Sequence, residues 1–129
     1  MGKDQTGLLE DYKAHLAAWN KTHNLISKKQ AQNIEDHISD SLVISSLLKE
    51  NIVDLGSGGG LPGIPLAITN PNKEFYLIES NTKKSSFLLH TTSRLGLENT
   101  TVIPQRFEKV ETKVLPESLD IVCRAVGPA

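Results

Sequence analysis

The first part of the chain repeats its apolar residues at helical spacing. Neither glycine nor proline occurs from Leu8 to Asn51, which favours two uninterrupted helices. The apolar positions of the first helix are Leu9, Tyr12, Leu16 and Trp19. Those of the second are Ile34, Ile38 and Leu42, followed by Leu47 and Leu48. Ser27 and Gln30 have the spacing of a capping box, so we expect the second helix to begin there.

From Asn51 onward the pattern changes to short apolar runs separated by helical segments. The runs that predict strands are IVDL (52–55), FYLIES (75–80), TTVIPQ (100–105) and LDIVCRAV (119–126). Pro65 can stand in the first turn of a short helix after the first run. Asn81 can cap a longer helix, and Gly96 follows its expected end. Strands that alternate with helices in this way are typical of a parallel sheet.

These elements predict an open α/β fold with a helical extension before it. We assign residues 1–50 to the extension and residues 51–129 to the sheet, with at least four parallel strands. The fourth run is as apolar as an interior strand. A chain that ended there would leave unpaired backbone groups on an apolar edge. We therefore expect the sequence to be a fragment of a longer protein, or the edge to pair with another chain.

A glycine-rich loop directly follows the first strand. GSGGGLPG (56–63) places five glycines within eight positions. The register G-x-G-x-x-G that begins at Gly58 satisfies the dinucleotide fingerprint, although it puts Pro62 inside the turn. The register D-x-G-x-G-x-G that begins at Asp54 is that of methyltransferases dependent on S-adenosylmethionine. A dinucleotide, a methyl donor and a turn without a ligand therefore all stay open at this point.

A second acid, Glu79, stands at the end of the second strand. Its carboxylate could accept hydrogen bonds from both ribose hydroxyls of either cofactor, so it favours ligand binding more than ligand identity. The plain alternative is that Asp54 and Glu79 cap strand ends on a solvated rim. Ligands of open α/β sheets bind at the carboxyl ends of the strands, where Arg106 and Arg124 also fall.

Charge and composition narrow the classes of function. The net charge is −1, so the sequence lacks the excess of basic residues that many nucleic-acid-binding proteins carry. Any contact with nucleic acid would have to come from local clusters: Lys28 with Lys29, Lys83 with Lys84, or Arg106.

The rest of the composition is that of an ordinary globular protein, with 38% apolar residues. The single cysteine, Cys123, excludes an internal disulfide and a multi-cysteine zinc site, and it reads as a small core residue more than as a nucleophile. The sequence contains no run of apolar residues long enough for a transmembrane helix, so a cytoplasmic protein is expected.

Six blocks of sequence point to one family. They are WNKTHNLIS (19–27), HISDSL (37–42), VDLGSGGGLPGIPLAI (53–68), LIESNTKKSSFL (77–88), QRFE (105–108) and CRAVGP (123–128). In this order they closely resemble the bacterial methyltransferases that act on guanine N7 of small-subunit ribosomal RNA, long called glucose-inhibited division protein B. The LPGIPLAI continuation and the WNK…NL block are specific to that family. The resemblance covers nearly the whole chain.

The resemblance implies a Rossmann-like class I methyltransferase that uses S-adenosyl-L-methionine on 16S ribosomal RNA or a precursor of the small subunit. It implies cofactor contacts from Asp54, Gly56, Ser57, Gly58, Gly60, Leu61, Pro62, Glu79, Arg106, Phe107, Glu108 and Arg124. It also places Asn24, His37 and Arg124 around the methyl donor or the target base, as catalytic candidates.

Methylation of guanine N7 suits such a sparse set of residues. N7 already has an in-plane lone pair, so the enzyme must align groups more than move protons. The target base should be accessible, because the deep groove of duplex RNA hides N7. His37 and Asp40, three residues apart, form either a plain hydrogen-bond pair or part of the substrate site. Trp19 is expected to anchor the N-terminal helices against each other.

Two other hypotheses stay beside the methyltransferase. The family has more chain beyond Ala129, so this polypeptide could bind the methyl donor weakly without turnover, or be a remnant that binds RNA or a protein partner. The shifted glycine register leaves an oxidoreductase fragment dependent on a nicotinamide dinucleotide as the remaining alternative.

Overall fold

The computed structural model describes residues 4–122. The helices are α1 (Gln5–His23), α2 (Lys28–Gln32), α3 (Ile34–Val43), α4 (Gly63–Thr69) and α5 (Thr82–Arg94). The strands are β1 (Asn51–Leu55), β2 (Glu74–Ile78), β3 (Thr100–Ile103) and β4 (Asp120–Val122). Short 3-10 turns lie at Ser45–Leu47, Phe107–Lys109 and Thr112–Val114.

The predicted capping box is present, but the helix that follows it is divided. The Ser27 side chain accepts a hydrogen bond from the Gln30 amide, and the Gln30 side chain accepts one from the Ser27 amide. The expected single helix is instead two, α2 and α3, because Asn33 leaves the helical conformation at φ −111° and ψ 27°. The Asn33 side chain donates to the Lys29 carbonyl at 2.9 Å. Asparagine competes in this way with the helical backbone, which explains the break.

The sheet is parallel, as the alternation of strands and helices predicts. Its strand order is β3-β2-β1-β4, with β1 paired to both β2 and β4. The strands are shorter than their apolar runs: β2 ends at Ile78 and β3 at Ile103, so Glu79 and Arg106 lie beyond the ladders. The fourth run is described only as far as Val122. Its remaining residues, among them Cys123 and Arg124, lie outside the described part of the chain.

One apolar core joins the N-terminal helices to the sheet. It includes Tyr12 and Leu16 of α1, Ile64 of α4, Leu77 of β2 and Phe87 of α5, all at most 2% exposed. α1 packs against both α4 and α5. No helix within residues 4–122 has both the length and the apolarity needed to cross a membrane.

Trp19 is an anchor, although with a different partner from the one expected. Its ring lies 5.6 Å from the Phe87 ring and 5.5 Å from the His90 ring, measured between centroids, so it packs α1 onto α5. The expectation that Trp19 joins the N-terminal helices to each other is wrong in this respect. The helical spacing correctly predicted that Trp19 lies on the packed face of α1. It could not predict which element packs there, because α5 is far away in the sequence.

Candidate functional site

The glycine loop lies at the carboxyl end of β1, which has a neighbouring strand on each side. Gly56, Gly58 and Gly60 adopt positive φ angles of 67°, 54° and 92°. These angles are strained for residues with a Cβ atom, so the loop requires glycine. A Cβ atom added at Gly56 would meet nothing within 4 Å. The backbone is therefore exposed at Gly56, and a ligand can approach it closely.

Glu79 joins the glycine loop to the start of α5. One carboxylate oxygen accepts a hydrogen bond from the Gly58 amide at 2.8 Å. The other accepts one from the Asn81 amide at 2.9 Å. Two oxygens of a carboxylate offer about four acceptor positions, so Glu79 can still bind further donors. The side chain is 8% exposed, at the margin between the core and the loop.

Asp54 lies beneath the loop and contacts the first turn of α4. Its Oδ2 accepts a hydrogen bond from the Gly63 amide at 3.0 Å, and the residue is fully buried. Within the described residues, Oδ1 has no hydrogen-bond partner. Burial raises the pKa of Asp54 from 3.8 to about 8, although the Gly63 amide opposes the shift. Since Asp54 and Glu79 are both buried, the alternative of two acids on a solvated rim is wrong.

α1 supports the loop from its other side. The Tyr12 hydroxyl is buried and donates to the Gly59 carbonyl at 2.6 Å. The helical spacing in the sequence identifies Tyr12 only as an apolar position of α1. The available signal was its hydroxyl group, because a tyrosine on a buried face needs a hydrogen-bond partner. Ser57 is also buried, and its hydroxyl donates to the Asp54 carbonyl at 3.2 Å.

The other predicted residues lie at different distances from this loop. Leu61 and Pro62 are buried where the loop enters α4. Arg106, Phe107 and Glu108 are exposed and follow β3, the strand that pairs with β2. They therefore lie on the Glu79 side of the sheet.

The catalytic candidates are less closely grouped. Asn24 ends α1 in a left-handed conformation and is exposed. It lines a cavity together with Lys84. His37 is partly buried in α3. Arg124 lies outside the described residues, so its prediction has no structural counterpart here.

The sheet and its glycine loop define a Rossmann-like methyltransferase fold. The crystal structure of precorrin-6y C5,15-methyltransferase from Geobacter metallireducens matches with a TM-score of 0.58 and 19% identity. The match covers 77% of this chain and 49% of that one. At this identity the likeness shows the fold alone.

The sequence comparisons identify the family. The profile of GidB, described as rRNA small subunit methyltransferase G, matches residues 5–129. Ribosomal RNA small subunit methyltransferase G of Dichelobacter nodosus is 46% identical over 78% of this chain and 49% of its own length. The proteins of that name from Hydrogenovibrio crunogenus and Helicobacter acinonychis are 41% and 37% identical, over 91% and 93% of this chain.

The chain belongs to the rRNA small subunit methyltransferase G family, and the resemblance predicted from its sequence blocks is confirmed. It spans about half the length of the first two relatives, 49% and 54%. A methyltransferase family uses a methyl donor of the S-adenosylmethionine type in general, so the dinucleotide alternative is not favoured.

Proposed function

We propose that the protein transfers a methyl group from S-adenosyl-L-methionine to N7 of a guanine in 16S ribosomal RNA. The observation that carries this proposal is the open backbone at Gly56, directly beside a loop that Glu79 fixes through the Gly58 amide. Family membership supports the reaction class. Ribosomal RNA or a small-subunit precursor is the proposed partner, and the cytoplasm the proposed location.

The loop residues fit this cofactor. Gly56 and Gly58 would offer backbone groups to its methionine part. Ser57 and Gly60 are buried and joined by a hydrogen bond of 2.7 Å from the Gly60 amide to the Ser57 carbonyl, so they would line that part of the site from below. Glu79 would accept hydrogen bonds from the ribose. The exposed residues after β3, Arg106, Phe107 and Glu108, would border the adenine. Bound there, S-adenosylmethionine would supply an electrophilic methyl group.

The residues beneath the loop would act by positioning. Asp54 holds the Gly63 amide, and Tyr12 holds the Gly59 carbonyl, so the loop is fixed from the core side at two points. We propose that Leu61 and Pro62 shape the end of the pocket. A fixed floor suits a reaction in which the attacking nitrogen needs alignment and no proton has to be removed first.

The target base would be held by residues outside this floor. We propose Asn24, His37 and Arg124 for this role. Transfer leaves positive charge on the guanine, which a nearby carbonyl or carboxylate oxygen would stabilise. An exposed amide such as that of Asn24 could provide such an oxygen.

Calorimetry with S-adenosylhomocysteine tests the cofactor site. Glu79→Gln removes the charge that would bind the ribose, so we expect its affinity to fall about ten- to a hundredfold, the range for hydrogen bonds to charged groups. Glu74→Gln is the matched control, because Glu74 is exposed at the opposite end of the same strand. Binding of NAD in place of S-adenosylhomocysteine, or equal affinities of the two variants, would contradict the proposal.

Transfer itself is measured with labelled S-adenosylmethionine and small-subunit ribosomal RNA. Label should enter guanine, and Glu79→Gln should reduce the rate at subsaturating cofactor. RNA binding without cofactor binding and without transfer would instead favour a non-catalytic protein.

A further inference from the structure

A cavity of about 730 Å³ lies where α1 turns into α2. Its walls come from the end of α1, the corner from Asn24 to Ser27, the start of α2, and Lys84 of α5. The cavity is open to solvent, and Gly56 is not among the residues that line it. We refer to it below as the corner cavity.

The corner cavity has a preformed shape. The Asn20 side chain accepts a hydrogen bond from the Ile26 amide at 2.9 Å, across the corner. The capping box fixes the next turn, with contacts of 3.0 Å and 3.1 Å between Ser27 and Gln30. These bonds hold the backbone of the corner, so a ligand would not have to order it on binding.

The corner also lies directly against the glycine loop. A Cβ atom added at Gly59 would be 2.7 Å from Ile26 Cγ2, which leaves no space between the two segments. On the other side, a Cβ atom at Gly58 would be 4.0 Å from Lys84 Cδ. A molecule in the corner cavity is therefore a neighbour of anything bound on the loop.

The charges of the corner cavity have one sign. Lys21, Lys28 and Lys84 line it, and no carboxylate does so among the described residues. Within residues 4–122 none of these three lysines forms an ion pair, whereas Lys13 is paired with both Glu10 and Glu35. The chain as a whole carries a charge of −1, so this local excess of cations stands out from the average surface.

The remaining lining indicates which part of a polyanion would bind. It consists of amide, hydroxyl and aliphatic groups, with no aromatic ring among the described lining residues. Proteins that hold single-stranded bases stack them on aromatic rings. Ammonium and amide donors without rings suit phosphate oxygens instead.

We propose that the corner cavity binds phosphodiester groups of the RNA strand that flanks the target base, through Lys21, Lys28 and Lys84. The inference rests on the proposed function, because it takes the polyanion to be the RNA substrate. A strand whose base reaches the methyl donor on the glycine loop must pass close to this corner. The three lysines thus form a local basic cluster, which a chain with a net charge of −1 needs in order to bind a nucleic acid.

The test compares Lys21→Gln/Lys28→Gln with Lys49→Gln/Lys113→Gln. The control lysines are exposed, and Lys49 precedes β1 at the amino end of the sheet. The 129-residue chain is titrated into a fluorescein-labelled single-stranded RNA at several salt concentrations. Each lost phosphate contact lowers the slope of log K against log salt by about 0.7. We expect the slope to fall by about 1.4 and the affinity on the order of tenfold in the first variant only.

Calorimetry with S-adenosylhomocysteine separates this inference from the proposed function. Loss of RNA affinity in the first variant with unchanged cofactor affinity supports the corner cavity as a phosphate site. If the unaltered chain binds no cofactor and the first variant still loses RNA affinity, the result supports the phosphate site and contradicts the proposed function alone. Equal RNA affinities of the two double variants, no RNA binding by the unaltered chain, or stronger binding to polyglutamate than to RNA would each overturn the inference.

Discussion

The adjacent strands β1 and β2 both run from apolar residues into an acidic residue, and the two acidic residues lie in different surroundings. Asp54 is fully buried, with one oxygen on the Gly63 amide and the other without a partner among the described residues. Glu79 lies at the margin of the core and uses both oxygens on backbone amides. Asp54 therefore supports the loop from below, and Glu79 fixes its open side. A pattern of strand, acid and loop can thus serve either packing or binding.

Among substitutions compared at one pH, the largest expected effect is at Gly63, whose amide donates to Asp54. In Gly63→Ala the new Cβ would lie 2.5 Å from both Asp54 Oδ2 and Leu77 Cδ2, and neither neighbour is free to move in the core. Overpacking of this kind should lower the free energy of unfolding by about 3 kcal/mol, measured by urea titration. Gly56→Ala is the control, since open space surrounds it and only its left-handed backbone costs about 1 kcal/mol. Equal losses in the two variants would show that the contact with Asp54 is not tight.

The next prediction is that the free energy of unfolding depends on pH because of Asp54. Its pKa is raised from 3.8 to about 8, so the folded chain keeps a proton that the unfolded chain releases. This contribution to stability is complete below pH 3.8 and is lost as the pH rises to about 8. We expect the stability of the unaltered chain to fall across this window by on the order of 1 kcal/mol per pH unit.

Asp54→Asn isolates that contribution, because the amide keeps an acceptor for Gly63 and cannot ionise. Urea titrations at a series of pH values should give a flatter stability profile for Asp54→Asn than for the unaltered chain. Glu74→Gln serves as the control, because Glu74 is exposed at the far end of β2, and it should retain the slope that Asp54 causes. A slope that persists in Asp54→Asn would assign the pH dependence to other groups.

A smaller effect is expected on the α1 side of the loop. Tyr12→Phe leaves the buried Gly59 carbonyl without its donor at 2.6 Å. An unsatisfied buried acceptor should lower the free energy of unfolding by about 1–2 kcal/mol, again by urea titration. Tyr76→Phe on β2 is the matched control, because Tyr76 is only partly buried. No difference between the two variants would mean that the hydroxyl of Tyr12 does not stabilise the loop.

Short-range signals in the sequence predicted much of the fold. The capping box at Ser27 was predictable because its two side chains bond within one turn. The parallel sheet was predictable because strands and helices alternate. The break at Asn33 was not, because the apolar spacing begins only at Ile34, and the polar residues of α2 before it carry no pattern that marks where a helix ends. The partner of Trp19 was not predictable either, since it depends on how α5 packs against α1.

The candidate site also has parts that the sequence predicts and parts that it does not. The glycine loop and Glu79 follow strands directly, so their proximity results from the parallel arrangement. The burial of Asp54 depends on α4 covering it, and the contact of Tyr12 with Gly59 joins segments far apart in sequence. The corner cavity combines Lys28 and Lys84, which the sequence shows only as members of two separate basic pairs.

The smallest effect on folding is expected at Glu79, where the effect on binding is proposed to be large. Glu79→Gln keeps one oxygen acceptor for either Gly58 or Asn81 and weakens the other bond, at the margin of the core. We expect a loss of about 1 kcal/mol in the free energy of unfolding, below that of Gly63→Ala. Urea titration of Glu79→Gln beside Glu74→Gln measures it. A loss as large as that of Gly63→Ala would show that Glu79 stabilises the core as Asp54 does. The distinction between a packing role for Asp54 and a binding role for Glu79 would then be contradicted.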